Sequence, residues 1–358
     1  MPKRLNAVEA ITPAFEQTKR QLFKPFRWGR WARLAWVALV TGEFAGGGGG
    51  GGGNGAHFNL PRSQGKREFD LFSFVSPTWD TIRQFLPWIA LLLVILIALV
   101  LLWLYAASVY RFILLDSVLR DRCELRAGWQ RWKQQGSSFF LFIVVFALAL
   151  SSLILVVIGG PIFAAWRAGL FAHPRENLAV LIAGGVLLFF VLLGMLIAAS
   201  VLALFVKDFA VPLMALENLG VREAWRRLVP MLAAEKLAYA GYVLMKIVLA
   251  VGSAIIFGII NLLIVLALLI PLGIGGAILY FAAQAAGFTW NIATITLVVL
   301  AATVVLTALF FVMAFVSTPA MVFFQSYTLH FFGARYAALG EILFPPPPPS
   351  PPEEPAVP

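Results

Sequence analysis

Three short stretches set a tryptophan and an arginine at one spacing, Trp-x-Arg: WARL (Trp31 to Leu34), LRAGWQRW (Leu125 to Trp132) and VREAWRRL (Val221 to Leu228). Tryptophan rests at the headgroup level of a bilayer, and guanidinium offers a planar fork that matches phosphate. The chemistry these residues suit is recognition of lipid headgroups, with Trp31, Arg33, Arg126, Trp129, Arg131, Arg222, Trp225, Arg226 and Arg227 as candidate contacts. The plainer alternative is that they only anchor the helices beside them. In VREAWRRL, Val221, Ala224, Trp225 and Leu228 share one face and Arg222, Glu223, Arg226 and Arg227 the other, which predicts a short amphipathic helix at a membrane surface. The other residue able to do chemistry is Lys246, a charge inside a strongly apolar stretch. Tyr239 and Tyr242 read as the interfacial belt before it. Lys246 is then only about 6 to 10 Å deep and is expected to snorkel to the surface rather than bind a solute or partner.

Other chemistry finds no pattern. His57, His173 and His330 are scattered, and His-Glu-x-x-His, Gly-x-Ser-x-Gly and paired intramembrane carboxylates are missing, so no catalytic, metal or cofactor residues are expected and the chain does not read as an enzyme. A single cysteine, Cys123, allows neither an internal disulfide nor metal-ligand spacing. The glycine run from Gly46 to Gly53 is not closed by Gly-Lys-Ser/Thr and follows no strand, so it reads as a flexible linker and not a phosphate loop. A net charge of +10 could signal nucleic acid, but the basic residues flank apolar runs. That favours membrane lipids as partners, anionic ones among the candidates, and no nucleic acid.

The elements that must carry these residues follow from composition. A chain of 358 residues that is 61% hydrophobic and 12% charged has too much apolar surface for a soluble core and has to face lipid. Trp129 lies 98 residues after Trp31, and Trp225 a further 96 on, which predicts three copies of one unit. The expected fold is all-α and polytopic: six transmembrane helices as three tandem hairpins, each preceded by a cytoplasmic amphipathic helix. The units are residues 1–119, with a glycine-rich extracytoplasmic loop, then 120–215 and 216–340, with a disordered proline-rich tail over 341–358. Apolar runs place the spans at Ala32 to Ala45, Phe85 to Tyr110, Ser138 to Ile158, Asn177 to Phe205, Lys236 to Ile270 and Asn291 to Val316. The first has only fourteen residues and a carboxylate, Glu43, near its far end. Breaks are expected at Gly159, Gly160 and Pro161, and again at Pro271. Two spans between Lys236 and Phe288, with a turn near Gly258 to Asn261, are the alternative to one long tilted helix. Ahead of the first span, Val8, Ile11, Phe15 and Leu22 recur at helical spacing and predict a further amphipathic helix from Ala7 to Phe23, interrupted near Pro13.

Charge sets the orientation. Of 27 Lys and Arg residues, 20 fall on one side of the six-span arrangement and 6 on the other, Lys246 lying inside a span. Both termini and all three Trp-x-Arg helices are therefore expected in the cytoplasm, with the protein in the cytoplasmic membrane. The first thirty residues offer no apolar core of signal-peptide length, so insertion is expected to use the mature helices.

KDFAVPLMALENLGVREAWRRL from Lys207, the basic lead into FRWGRWARLAWVAL from Phe26 with glycines after it, and STPAMVFFQSYTLHFFG from Ser317 resemble an uncharacterised group of prokaryotic multi-span proteins. That group is similar to the membrane domain preceding some glycerophosphodiester phosphodiesterases. The resemblance implies the membrane part alone, because no soluble segment here is long enough for a catalytic barrel. The expected function is an accessory or lipid-interacting membrane module; the alternative is a transporter of a small or lipidic solute, which would line a cavity with Ser253, Asn261, Gln284, Thr303 or Thr307.

Overall fold

The computed structural model describes residues 5–24, 26–42, 79–120, 122–172, 176–285, 287 and 292–344. The expected glycine-rich loop and the tail from residue 345 lie outside them. The described residues form helices and no strands: α1 (Ile11–Phe23), α2 (Trp28–Thr41), α3 (Trp79–Arg120), α4 (Leu125–Arg167), α5 (Leu178–Phe205), a π-helical turn (Val206–Ala210), α6 (Val211–Glu217), α7 (Val221–Ala234), α8 (Lys236–Ala285), α9 (Ile292–Gly333) and α10 (Ala337–Leu343). Five helical stretches among them are long and apolar enough to cross a membrane: Leu86–Arg120, Leu125–Arg167, Leu178–Glu217, Lys236–Ala285 and Thr294–Gly333. The chain is thus a multi-pass membrane protein. At fourteen residues α2 rises only about 21 Å against a hydrocarbon core of about 30 Å, so the first expected span does not form as a full-length helix among the described residues.

The helices run past the expected breaks. Pro161 lies inside the 43 residues of α4, and Pro271 inside the 50 of α8, which is one helix and not two. Lipid supplies no water to satisfy the N–H and C=O groups that a break would expose, so the chain gives up one hydrogen bond at each proline and stays helical. LRAGWQRW is also no separate element; no proline parts it from the apolar run that follows, and it forms the opening turns of α4. The tail also starts later than expected, because residues 341–343 belong to α10.

Packing concentrates at one end of the bundle. The buried side chains come from α1, α2, the C-terminal parts of α3 and α9, the N-terminal parts of α4 and α8, the π-turn, α6 and α7. At the other end the helices present apolar side chains outward, among them Leu92 on α3, Leu155 on α4, Leu187 on α5 and Leu279 on α8, each more than 60% exposed, as segments surrounded by lipid would.

Helix ends and prolines leave polar backbone groups unpaired, and side chains from distant segments cover them. Gln17 and Gln21 of α1 donate through Nε2 to the carbonyls of Val118 (3.0 Å) and Ser117 (2.8 Å), in the last turn of α3, where no intrahelical donor follows. This explains a departure from the expected amphipathic face. α1 buries Gln17, Thr18 and Gln21, while Val8 and Phe15 stay 61% and 62% exposed. In α9, Pro319 has no N–H to give the carbonyl of Phe315, four residues back, and the Trp31 indole Nε1 donates to that oxygen at 2.9 Å. Arg335, just past the end of α9, donates to the carbonyl of Phe331 at 3.0 Å and to that of Leu5 at 2.9 Å, and pairs with Glu235 between α7 and α8 at 2.9 Å. α3 and α4 approach closely as an antiparallel pair because Gly136 lies against the backbone of Val109 and Gly128 against the side chain of Ile113.

Two stability measurements check this arrangement. Trp31→Phe strips the Phe315 carbonyl of its donor and should cost about 1–3 kcal/mol. Trp31→Phe combined with Pro319→Ala should recover much of that loss, since the substituted alanine brings back the helical N–H; an additive pair of losses in thermal unfolding would contradict the pairing. A Cβ on residue 136 would meet the Val109 Cα at 3.0 Å, while one on residue 128 meets only the side chain of Ile113. Gly136→Val should therefore lower the melting temperature clearly more than Gly128→Ala, by an overpacking cost of about 1–3 kcal/mol.

Candidate functional site

Within the packed end, Tyr239, Tyr242 and Lys246 stand at helical spacing on one face of α8 and turn inward, all buried. Opposite them is the π-turn that joins α5 to α6. There Pro212 can give no N–H to the carbonyl of Asp208, and the ladder widens by one residue, with the Val211 N–H reaching the Val206 carbonyl. The widened turn presents Asp208 to α8. Lys246 Nζ lies 2.5 Å from Asp208 Oδ2, with 4% and 6% of the two side chains exposed. The Tyr242 hydroxyl donates to the same carboxylate oxygen at 2.9 Å and lies 2.7 Å from Thr328 Oγ1 of α9. Aromatic rings enclose the group: Tyr327 stacks on Tyr242 at 5.4 Å, and Phe209 and Phe331 lie 5.0 and 4.6 Å from it.

Lys246 therefore does not snorkel. A lone ammonium at that depth would have to reach the headgroups, but the carboxylate from the neighbouring helix lets it stay inside as half of a neutral pair. Asp208 and Thr328 do not stand out in the sequence, and Tyr242 does so only as an interfacial tyrosine. A solitary lysine in one apolar run and an aspartate at the edge of another, in KDFAVP, are the available signal; that the turn after α5 meets α8 is not legible there.

The three Trp-x-Arg copies take up different local structures. Trp31 is 8% exposed in the middle of the core, between α2 and α9, so it is no headgroup contact. Trp129 is half-buried against Tyr105 and Tyr110 of α3, at 5.8 and 5.7 Å, and Trp225 is half-buried beside the core. Arg33 Nη1 donates to the Cys123 carbonyl at 3.2 Å, Arg131 pairs with Asp116 at 3.3 Å, and Arg227 pairs with Glu217. Tyr336 also donates to Glu217, at 2.5 Å, and burial pushes its phenol up. Arg126, Arg222 and Arg226 are exposed and form no ion pair among the described residues. Opposite them, Gly128 and Trp132 of α4, and Val221, Ala224 and Leu228 of α7, are buried. Cys123 is buried, which pushes its thiol up and keeps it protonated at neutral pH.

Two open grooves flank the outward face of α8. The larger, about 480 Å³, runs between α5, α7 and α8 and is lined by Val201, Phe205, Leu232, Tyr239, Ala240, Val243, Leu244 and Ile247, with Lys236 as its charged residue. The second, about 370 Å³, lies between α8 and the N-terminal segment. Of the polar groups that would mark a solute pathway, all but Asn261 bond within their own helix. Ser253 donates to the Ala250 carbonyl, Thr303 to that of Val299 and Thr307 to that of Thr303, while Asn261 reaches Ser317 at 3.2 Å and Gln284 reaches the Tyr280 hydroxyl at 3.3 Å.

The buried pair gives a sharp expectation. Lys246→Met, harmless had the lysine snorkelled, should cost about 3–5 kcal/mol because it removes the cation paired with the buried Asp208, and Asp208→Asn should cost a similar amount. Lys246→Met together with Asp208→Asn should regain most of the loss. Thermal or denaturant unfolding in detergent reads all three, and an unaffected Lys246→Met single variant would remove the pair from its structural role.

Comparison with known proteins returns a family of unknown function, DUF7544, whose match covers residues 5–342 and so takes in the buried pair, both grooves and all three Trp-x-Arg stretches. No curated protein matches, and no solved structure does.

Proposed function

The chain belongs to this family of unknown function, so no activity comes to it from a relative, and we propose from its own residues that it is an accessory membrane module that holds anionic lipid at its packed end. The observation that carries the reading is the set of arginines without acidic partners: Arg126 on α4 and Arg222 and Arg226 on α7, exposed on helices whose other faces are pinned in the core. A guanidinium held on a rigid helix at a membrane boundary is suited to phosphate. The local pairing of Ser253, Gln284, Thr303 and Thr307, each within four residues, supports a module over a transporter. The reading assigns the chain no catalysis and no cofactor.

The orientation is part of the proposal. The charge bias favours the packed end, with both termini, on the cytoplasmic side and the protein in the cytoplasmic membrane. Six crossings also belong to it. α1 touches the end of α3 through Gln17 and Gln21, while α3, 42 residues long, begins about 60 Å away along its axis, which supports a further crossing between the two. α2 supports the inward part of that passage. A tandem arrangement of three hairpins belongs to the proposal too, as does the resemblance of KDFAVPLMALENLGVREAWRRL, FRWGRWARLAWVAL and STPAMVFFQSYTLHFFG to the membrane domain preceding some glycerophosphodiester phosphodiesterases. The first and last of these segments supply Asp208 and Thr328 to the group around Lys246.

Replacing Arg126, Arg222 and Arg226 together with Gln should leave insertion and melting temperature unchanged and weaken binding to anionic bilayers, each residue contributing about 1 kcal/mol near such a surface. The check is flotation of the purified full chain, held in neutral nanodiscs, with vesicles containing phosphatidylglycerol, beside vesicles of phosphatidylcholine alone. Equal binding of wild type and variant to the anionic vesicles would sink the headgroup reading and leave these helices as anchors.

A further inference from the structure

The larger groove is an open apolar trough with one cation, Lys236, among its lining residues. Along α8 its lining recurs as Lys236, Tyr239, Ala240, Val243, Leu244 and Ile247, one stripe about 16 Å long. Phe205 of α5 and Leu232 of α7 help to form its other sides. At about 30 Å³ for a group the size of a water molecule, 480 Å³ holds roughly sixteen such groups, the bulk of one acyl chain. The charge at the end is uncompensated. Lys236 is exposed and forms no ion pair among the described residues, while the carboxylate next to it, Glu235, is taken by Arg335 at 2.9 Å, and Glu217 by Arg227 and Tyr336. Lys236 opens α8, the position where a long basic side chain meets headgroups.

We propose that this groove is a binding site for a single anionic phospholipid, with one acyl chain lying along α8 from Tyr239 to Ile247 and its phosphate held by Lys236. The proposal deepens the lipid-holding reading above, on which it rests, by assigning one stoichiometric lipid to a site distinct from the exposed arginines. Its specificity comes from the charge and its retention from the trough. An annular lipid on a smooth helix face would have neither and would exchange freely.

Two substitutions at exposed positions separate these parts without touching the core. Lys236→Gln removes the cation, and Ala240→Trp fills the trough with every charge kept. The full chain, reconstituted in nanodiscs of equal phosphatidylglycerol and phosphatidylcholine, then extracted in mild detergent, is examined by native mass spectrometry. The wild type should retain one phosphatidylglycerol. Lys236→Gln should lower its retention about fivefold, the effect of one basic residue near a headgroup, and Ala240→Trp should abolish it. Unchanged retention in Ala240→Trp, equal retention of both lipids by the wild type, or a dimer that Ala240→Trp dissolves, which would make a second copy the occupant, would each overturn the proposal. The Arg126, Arg222 and Arg226 variant distinguishes the two levels. If it still binds anionic vesicles like the wild type, the surface reading fails while the single retained lipid stands; if the lipid is absent from a wild type that floats with anionic vesicles, the groove fails alone.

Discussion

A polar group that loses its partner inside a packed apolar core has no water to turn to, and that constraint shapes the packed end of this protein. Helix termini, a proline and a buried charge there each meet a group from a distant segment. The carbonyls ending α3 are met by glutamines from α1, the carbonyl freed by Pro319 by an indole from α2, and the ammonium of Lys246 by the carboxylate of Asp208. Each contact joins parts of the chain far apart in sequence. Satisfying local polarity and holding the bundle together are here one physical task.

The outer part of the bundle shows the complementary solution. Its helices carry few polar groups beyond hydroxyls and amides that bond within a turn or two, so they need no partner side chains and can remain surrounded by lipid. Close packing is reserved for the end where irregular backbone, short helices and charges collect. The π-turn belongs to that logic. Asp208 reaches Lys246 because the ladder before Pro212 gains a residue, and the same turn sends Phe209 among the rings of Tyr239, Tyr242 and Phe331.

The Trp-x-Arg stretches show how one pattern serves several ends. A tryptophan has an apolar body and one donor, so it can sit at a membrane boundary or deliver its N–H to a buried carbonyl with almost equal ease. Trp129 and Trp225 stay at the edge of the core, while Trp31 is drawn inside because α9 holds an orphan acceptor there. Of the arginines, Arg131 and Arg227 pair with Asp116 and Glu217, and Arg126, Arg222 and Arg226, without such neighbours, remain exposed.

Composition and periodicity by themselves determined that this chain is helical, that it is a multi-pass membrane protein and where its apolar stretches run, because transfer of a long apolar segment into lipid depends on the segment alone. They also singled out Lys246 as a charge inside the apolar zone. They did not determine where the helices end, because a proline that stops a helix in water is carried through in lipid. Nor could they decide the fate of that lysine or of Trp31. Both depend on what the neighbouring helix presents at the same depth, Asp208 to the one and the Phe315 carbonyl to the other, and those juxtapositions exist only once α2, α5, α8 and α9 have packed together.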